Sequence, residues 1–193
     1  MATTIQNIEL PKKPRARDTS GNNNHGEIYS GRGLEFDGVS DYIHTPLDGN
    51  PGVFGNASDF ETTIAFWVKV NDFVGGNALM QWADEATVSD VTPFVLFALN
   101  GTDGSSRLYA NGAYRNLTHK FKAGVWYRFV VTRTASDNTW RTYINGVADV
   151  THDDSGAPSN QSSADSFYLG TGYNRYFSGA LSDAQIWNKP FTQ

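Results

Sequence analysis

Alternation of apolar and polar residues is the recurring pattern along this chain. In TTIAFWVKV (62–70), Ile64, Phe66, Val68 and Val70 occupy every second position, with Ala65, Trp67 and Lys69 between them. Successive strand side chains point to opposite faces, so this spacing predicts a half-buried β-strand. Comparable runs occur at 32–38, 41–46, 93–99, 107–112, 126–134, 139–146, 166–172 and 180–188. Asn-Gly pairs at 111–112 and 145–146 fall inside such runs. A type I′ hairpin needs positive φ at both central residues, which these pairs tolerate. No window long enough for a globular helix keeps a clean helical period, which argues against a parallel βαβ architecture. The predicted fold is all-β: a two-sheet antiparallel jelly-roll sandwich.

Composition narrows the chemistry. The chain has 193 residues, enough for one domain of this class. It contains no cysteine, which excludes disulfides, thiol nucleophiles and Cys-ligated zinc. No apolar run is long enough for a membrane span or the core of a signal peptide, so we expect a soluble chain without membrane insertion. Asn-x-Ser/Thr matches at Asn56, Asn100, Asn116 and Asn160 carry little weight without a visible secretory route.

Charge is unevenly placed. Residues 1–17 carry Lys12, Lys13, Arg15 and Arg17 against Glu9, a net +3, which leaves −8 for the remainder of a chain with formal charge −5. A nucleic-acid binder would place its basic surface on the folded body, so nucleic acid is not the expected partner. The PKKPRAR segment favours an extended, solvated conformation over a ladder strand. We therefore divide the chain into a basic N-terminal arm (1–17) and one β domain (18–193). The arm is a flexible tail or, as we expect, a docking segment for this body or a neighbouring subunit.

DTSGNNNHG (18–26) followed by LEFDGVSDYI (34–43), with FETTIAFWVKV (60–70), TYINGV (142–147) and YFSGALSDAQIWNKPFT (176–192), resembles the laminin-G-like domains of the concanavalin A-like lectin/glucanase superfamily, in their bacterial and phage branch. The resemblance implies two antiparallel sheets, one concave face and a rim of loops. It also implies a structural calcium ion held by Asp18, Asn22 and Asp183, since hard oxygen ligands suit calcium. Two departures stand out. Ser182 and Asp183 replace the usual Asp and Glu of the closing strand, and the basic arm replaces the usual first segment.

Sugars stack on aromatic faces beside polar groups. Trp82, Tyr114, Trp140, Tyr173 and Tyr176 lie in or beside predicted loops, with Asn174 and Arg175 between the last two, and form the candidate ligand-binding set. Trp67, Trp126 and Trp187 lie within strands and read as core. Asp37-Gly38 reads as a tight turn between strands. His25, His44, His119 and His152 lack metal or catalytic spacing and read as surface or hydrogen-bonded residues. Glucanase relatives place carboxylates as Glu-x-Asp-x-x-Glu. Glu35 and Asp37 fit the first two positions, but Ser40 stands at the third, and we expect no enzyme.

These readings lead to an expected function. The chain is a non-catalytic structural or adhesive component of a phage virion, such as a capsid decoration or tail-associated protein. It docks on other virion proteins or copies of itself through Lys12, Lys13, Arg15 and Arg17, and binds surface polysaccharide. The alternative is a calcium-assisted carbohydrate-binding module of a secreted or bacterial surface protein, and a glycoside hydrolase is the remote third reading.

Overall fold

A computed structural model describes residues 15–16, 26–27, 33–45, 61–73, 77–83, 95–99, 102–110, 113–153 and 166–191. The chain divides into two compact units, Met1–Arg32 and Gly33–Gln193. In the first, β1 (Arg15–Ala16) pairs antiparallel with β2 (Gly26–Glu27). Arg15, read from sequence as part of a solvated extended segment, thus sits in a short ladder. The cations Lys12, Lys13 and Arg17 lie outside the described residues.

The second unit is an all-β sandwich of two six-stranded antiparallel sheets. Its strands are β3 (Leu34–Asp37), β4 (Ile43–Thr45), β5 (Thr62–Val70), β6 (Ala78–Ala83), β7 (Val95–Leu99), β8 (Ser106–Ala110), β9 (Ala113–Asn116), β10 (Trp126–Thr134), β11 (Thr139–Ile144), β12 (Val147–Asp153), β13 (Ser166–Leu169), β14 (Thr171–Gly172), β15 (Arg175–Tyr176) and β16 (Ser178–Trp187). The first sheet runs β12-β11-β10-β5-β16-β3 and the second β4-β13-β6-β7-β8-β9.

The predicted strands at 62–70 and 126–134 match β5 and β10 residue for residue, because both alternate cleanly. They pair with Phe66 opposite Phe129 and Val68 opposite Tyr127, so their apolar faces point the same way. Phe129 stacks on Phe97 of the second sheet, ring centroids 3.9 Å apart and nearly parallel, joining the sheets at mid-core. The Asn145-Gly146 turn between β11 and β12 has φ of 52° and 79°. Both central residues are left-handed, as a type I′ hairpin demands.

β6 lies outside every alternating run read from the sequence. Leu79, Met80, Gln81 and Trp82 are all fully buried, whichever way they point. A strand covered on both faces loses its polar side, and the period-2 signal disappears with it.

At one open end, side chains tie the two sheets together. Arg115 Nε on β9 donates to His152 Nδ1 on β12 at 2.8 Å. Asp149 on β12 accepts from the backbone N–H groups of Thr118 and His119 and from the Thr118 hydroxyl. The His152 ring therefore takes part in hydrogen-bonded scaffolding, whereas the His119 ring packs edge-on against Phe121 and Tyr127 with its Nε2 buried and unpartnered among the described residues.

Candidate functional site

The site is built on the outer face of the second sheet. Met80, Phe97, Leu108 and Phe167 point into the core, so the alternate positions on each strand face outward. One register row crosses all six strands: His44, Tyr168, Gln81, position 96, Tyr109 and Tyr114. Although they face outward, Tyr168, Gln81 and Tyr109 are buried. His44 stacks on the Tyr168 ring at 4.7 Å, Tyr42 lies against it at 6.1 Å, and His44 Nε2 is 3.0 Å from Ser166 Oγ.

Over the middle of the row lies the hairpin β14–β15. The chain leaves β13 at Gly170, whose φ is +83° and whose N–H donates to Leu79 O at 2.9 Å. A Cβ there would stand 2.3 Å from the Phe36 ring, so only glycine fits this corner. At the hairpin tip Tyr173 and Asn174 have φ of 53° and 57°. A left-handed tyrosine stores strain on the order of 1 kcal/mol, and such strain collects at functional sites. Here it is held by a hydrogen bond from the Tyr173 N–H to Gln81 Oε1 at 2.7 Å, and by packing of Tyr173 on Ala78, Ala98 and Tyr109. The other Gln81 amide atom, Nε2, is buried without a hydrogen-bond partner among the described residues.

Tyr109 and Tyr114 meet edge to face at 4.8 Å across the β8–β9 hairpin. Arg107, one row away on the same face, lays its guanidinium over the Tyr114 ring at 4.0 Å. At the other end the Arg175 guanidinium lies 5.9 Å from the Tyr173 ring. Tyr114 and Tyr173 are therefore the rings that reach the surface, packed against the buried Tyr109 and its cluster, each with an arginine beside it. Ring faces and edges of this kind stack against the apolar faces of a sugar, and N–H groups beside them take its oxygens.

Of the sequence-predicted ligand residues, Tyr114, Tyr173, Asn174 and Arg175 come together here, and Tyr176 lies half-buried in β15 beside them. Trp82 and Trp140 do not. They are 0% and 1% exposed, members of the core, and offer no face to a ligand. Trp67 and Trp126, read as core, are 40% and 36% exposed on the outer face of the first sheet. Sequence reasoning missed Gln81, Arg107 and Tyr109. For the last two a signal existed, since pairing about Asn111-Gly112 puts Arg107, Tyr109, Tyr114 and Asn116 on one face.

Carboxylates serve other purposes. Asp37 accepts from the backbone N–H groups of Ser40, Val39 and Asp41, which together lower its pKa from 3.8 to about 2. It is the acid of a turn, as the Asp-Gly pair predicted. Glu35 pairs with Lys69 at 3.5 Å.

Asp18 and Asn22 lie outside the described residues. Asp183 sits in the β16 bulge on the first sheet, where Oδ2 takes Arg128 at 3.0 Å and Oδ1 takes Gln185 Nε2 at 2.6 Å. A calcium ion there would face the Arg128 guanidinium, so Asp183 as placed does not fit a metal ligand. Among the described residues no group of three His, Asp or Glu converges on one point.

The fold has solved relatives. The heptameric SAP-like pentraxin from Limulus polyphemus superposes with a TM-score of 0.58 at 16% identity, over 82% of this chain and 76% of that one. The CBM40 of the Ruminococcus gnavus IT-sialidase, solved with α2,3 sialyllactose, gives 0.61 at 13%, over 82% and 92%. The Trypanosoma rangeli sialidase gives 0.62 at 13%, over 87% of this chain but only 28% of its own. At these identities the likeness is one of fold. No curated protein sequence matches the chain. The family model Laminin_G_3, described as the concanavalin A-like lectin/glucanases superfamily, matches residues 37–193, and the chain belongs to that family.

Proposed function

We propose that this chain is a non-catalytic carbohydrate-binding module that receives a glycan on the outer face of its second sheet. The observation that carries this reading is the pair of surface rings Tyr114 and Tyr173, seated against the buried Tyr109 cluster and each beside a guanidinium. Family membership supports it, as does fold likeness to the sialyllactose-bound CBM40. Glu35 and Asp37, a carboxylate pair with strand spacing for retaining hydrolysis, are held by a lysine and a turn.

A glycan array probed with the multimerised chain tests the proposal, because multivalent display brings weak single sites into range. Selective binding is expected, and Tyr114→Ala should weaken it about ten-fold, the loss of one stacking contact. An array without hits overturns the reading.

The phage virion remains a proposal of setting, supported by the +3 charge of residues 1–17 against the acidic remainder. Deleting residues 1–17 should abolish incorporation into particles, and unchanged incorporation sinks that part.

A further inference from the structure

We infer that the sugar taken by this face carries a carboxylate. The inference rests on the glycan-binding reading above and goes beyond it in naming the ligand class. Two guanidinium groups on the face meet no carboxylate among the described residues. Arg107 forms no ion pair among them, and its Nε is buried without a partner there. Arg175 likewise forms no ion pair among them; its contact is with the Tyr173 ring.

Two guanidinium groups without an acid on one face match a ligand rich in acceptor oxygens. A neutral sugar hydroxyl both donates and accepts, and satisfies an arginine fork poorly. A carboxylate only accepts and matches the planar guanidinium with two parallel bonds. Tyr114 and Tyr173 supply stacking for the ring that bears it. The whole chain carries a formal charge of −5, so long-range attraction does not favour an acid. Recognition then depends on contact with Arg107 and Arg175.

The first sheet provides an internal contrast. Three of its outward cations have carboxylates: Lys69 has Glu35, Arg128 has Asp183 and Arg141 has Asp137. The protein can neutralise arginines on an open sheet, and on the second sheet two meet no acid among the described residues.

The test is calorimetric titration of the full chain with two matched pairs: sialyllactose against lactose, and an oligogalacturonate against the same oligosaccharide after carboxyl reduction. The expected result is binding of at least one acidic member about ten-fold tighter than its neutral partner, the size of one charge-assisted pair. Arg107→Gln with Arg175→Gln should abolish that preference while leaving the thermal melt in place. Arg128→Gln, on the opposite sheet, should leave it intact. Equal affinity for acidic and neutral members overturns the inference and leaves the glycan-binding reading standing. No binding of any of the four, together with an empty array, overturns both.

Discussion

The outer faces of the two sheets draw on the same residue types, aromatic rings and cations, and arrange them differently. On the first sheet Trp67 lies opposite Arg128 and Trp126 opposite Lys69, a two-by-two check across β5 and β10. Each cation lies over an indole, at 6.0 and 5.5 Å, and each reaches outboard to an acid on β16 or β3. On the second sheet the cations lie over tyrosines and reach no acid among the described residues. Counting arginines, two on each face, would rank them equal. What separates them is whether each polar group already has its complement within the fold, and that decides which face has donors to offer a ligand.

The largest effect tests which tryptophans are inside. Trp82→Ala should cost about 3–5 kcal/mol, the usual range for emptying a buried tryptophan site. Trp67→Ala on the open face should cost no more than about 1 kcal/mol. Urea denaturation measures both, and similar costs would break the assignment of the two rings to core and surface.

A middle-sized effect isolates the strained turn of the second face. Tyr173→Gly removes a left-handed tyrosine and a contact together, so stability should move by about 1 kcal/mol or less. Glycan affinity should nevertheless fall about ten-fold, as for any lost stacking ring. Unchanged affinity in the array-selected glycan would take Tyr173 out of the site.

The smallest effect concerns the first sheet's edge and sharpens the view that its acids are structural. Asp37 has a depressed pKa in the folded chain, about 2 against 3.8. Its stabilising contribution is therefore present above pH 3.8 and lost as pH falls towards about 2. The gap in melting temperature between wild type and Asp37→Ala should be constant at neutral pH and close across that interval. A gap that persists at the acid end would mean the carboxylate charge is not what the turn uses.

Much of the fold is legible in the sequence. β5 and β10 announce themselves by period, and Asn145-Gly146 by its tolerance of positive φ. Part of the candidate site is legible too, because Tyr173 and Asn174 form a hairpin tip and Tyr114 and Arg175 stand in short strands beside turns. Gln81 is hidden because β6 is covered on both sides, and its run ALMQWA shows no alternation to read. Sequence position misplaces Trp82 and Trp140 for a related reason. Nearness to a loop along the chain says nothing about which face of the strand a ring leaves from, and both leave towards the core.

By itself the sequence determined the local matters: strand periodicity, turn chemistry, the absence of thiols and the all-β class. These follow from neighbours within a few positions along the chain. Only the tertiary structure decided which polar groups are satisfied. Lys69 meets Glu35 across 34 positions, Arg128 meets Asp183 across 55, and the Tyr173 N–H meets Gln81 across 92. Such pairings depend on how strands are ordered within the sheets, and no local window holds that order, so Arg107 and Arg128 look alike in the sequence and differ in the fold.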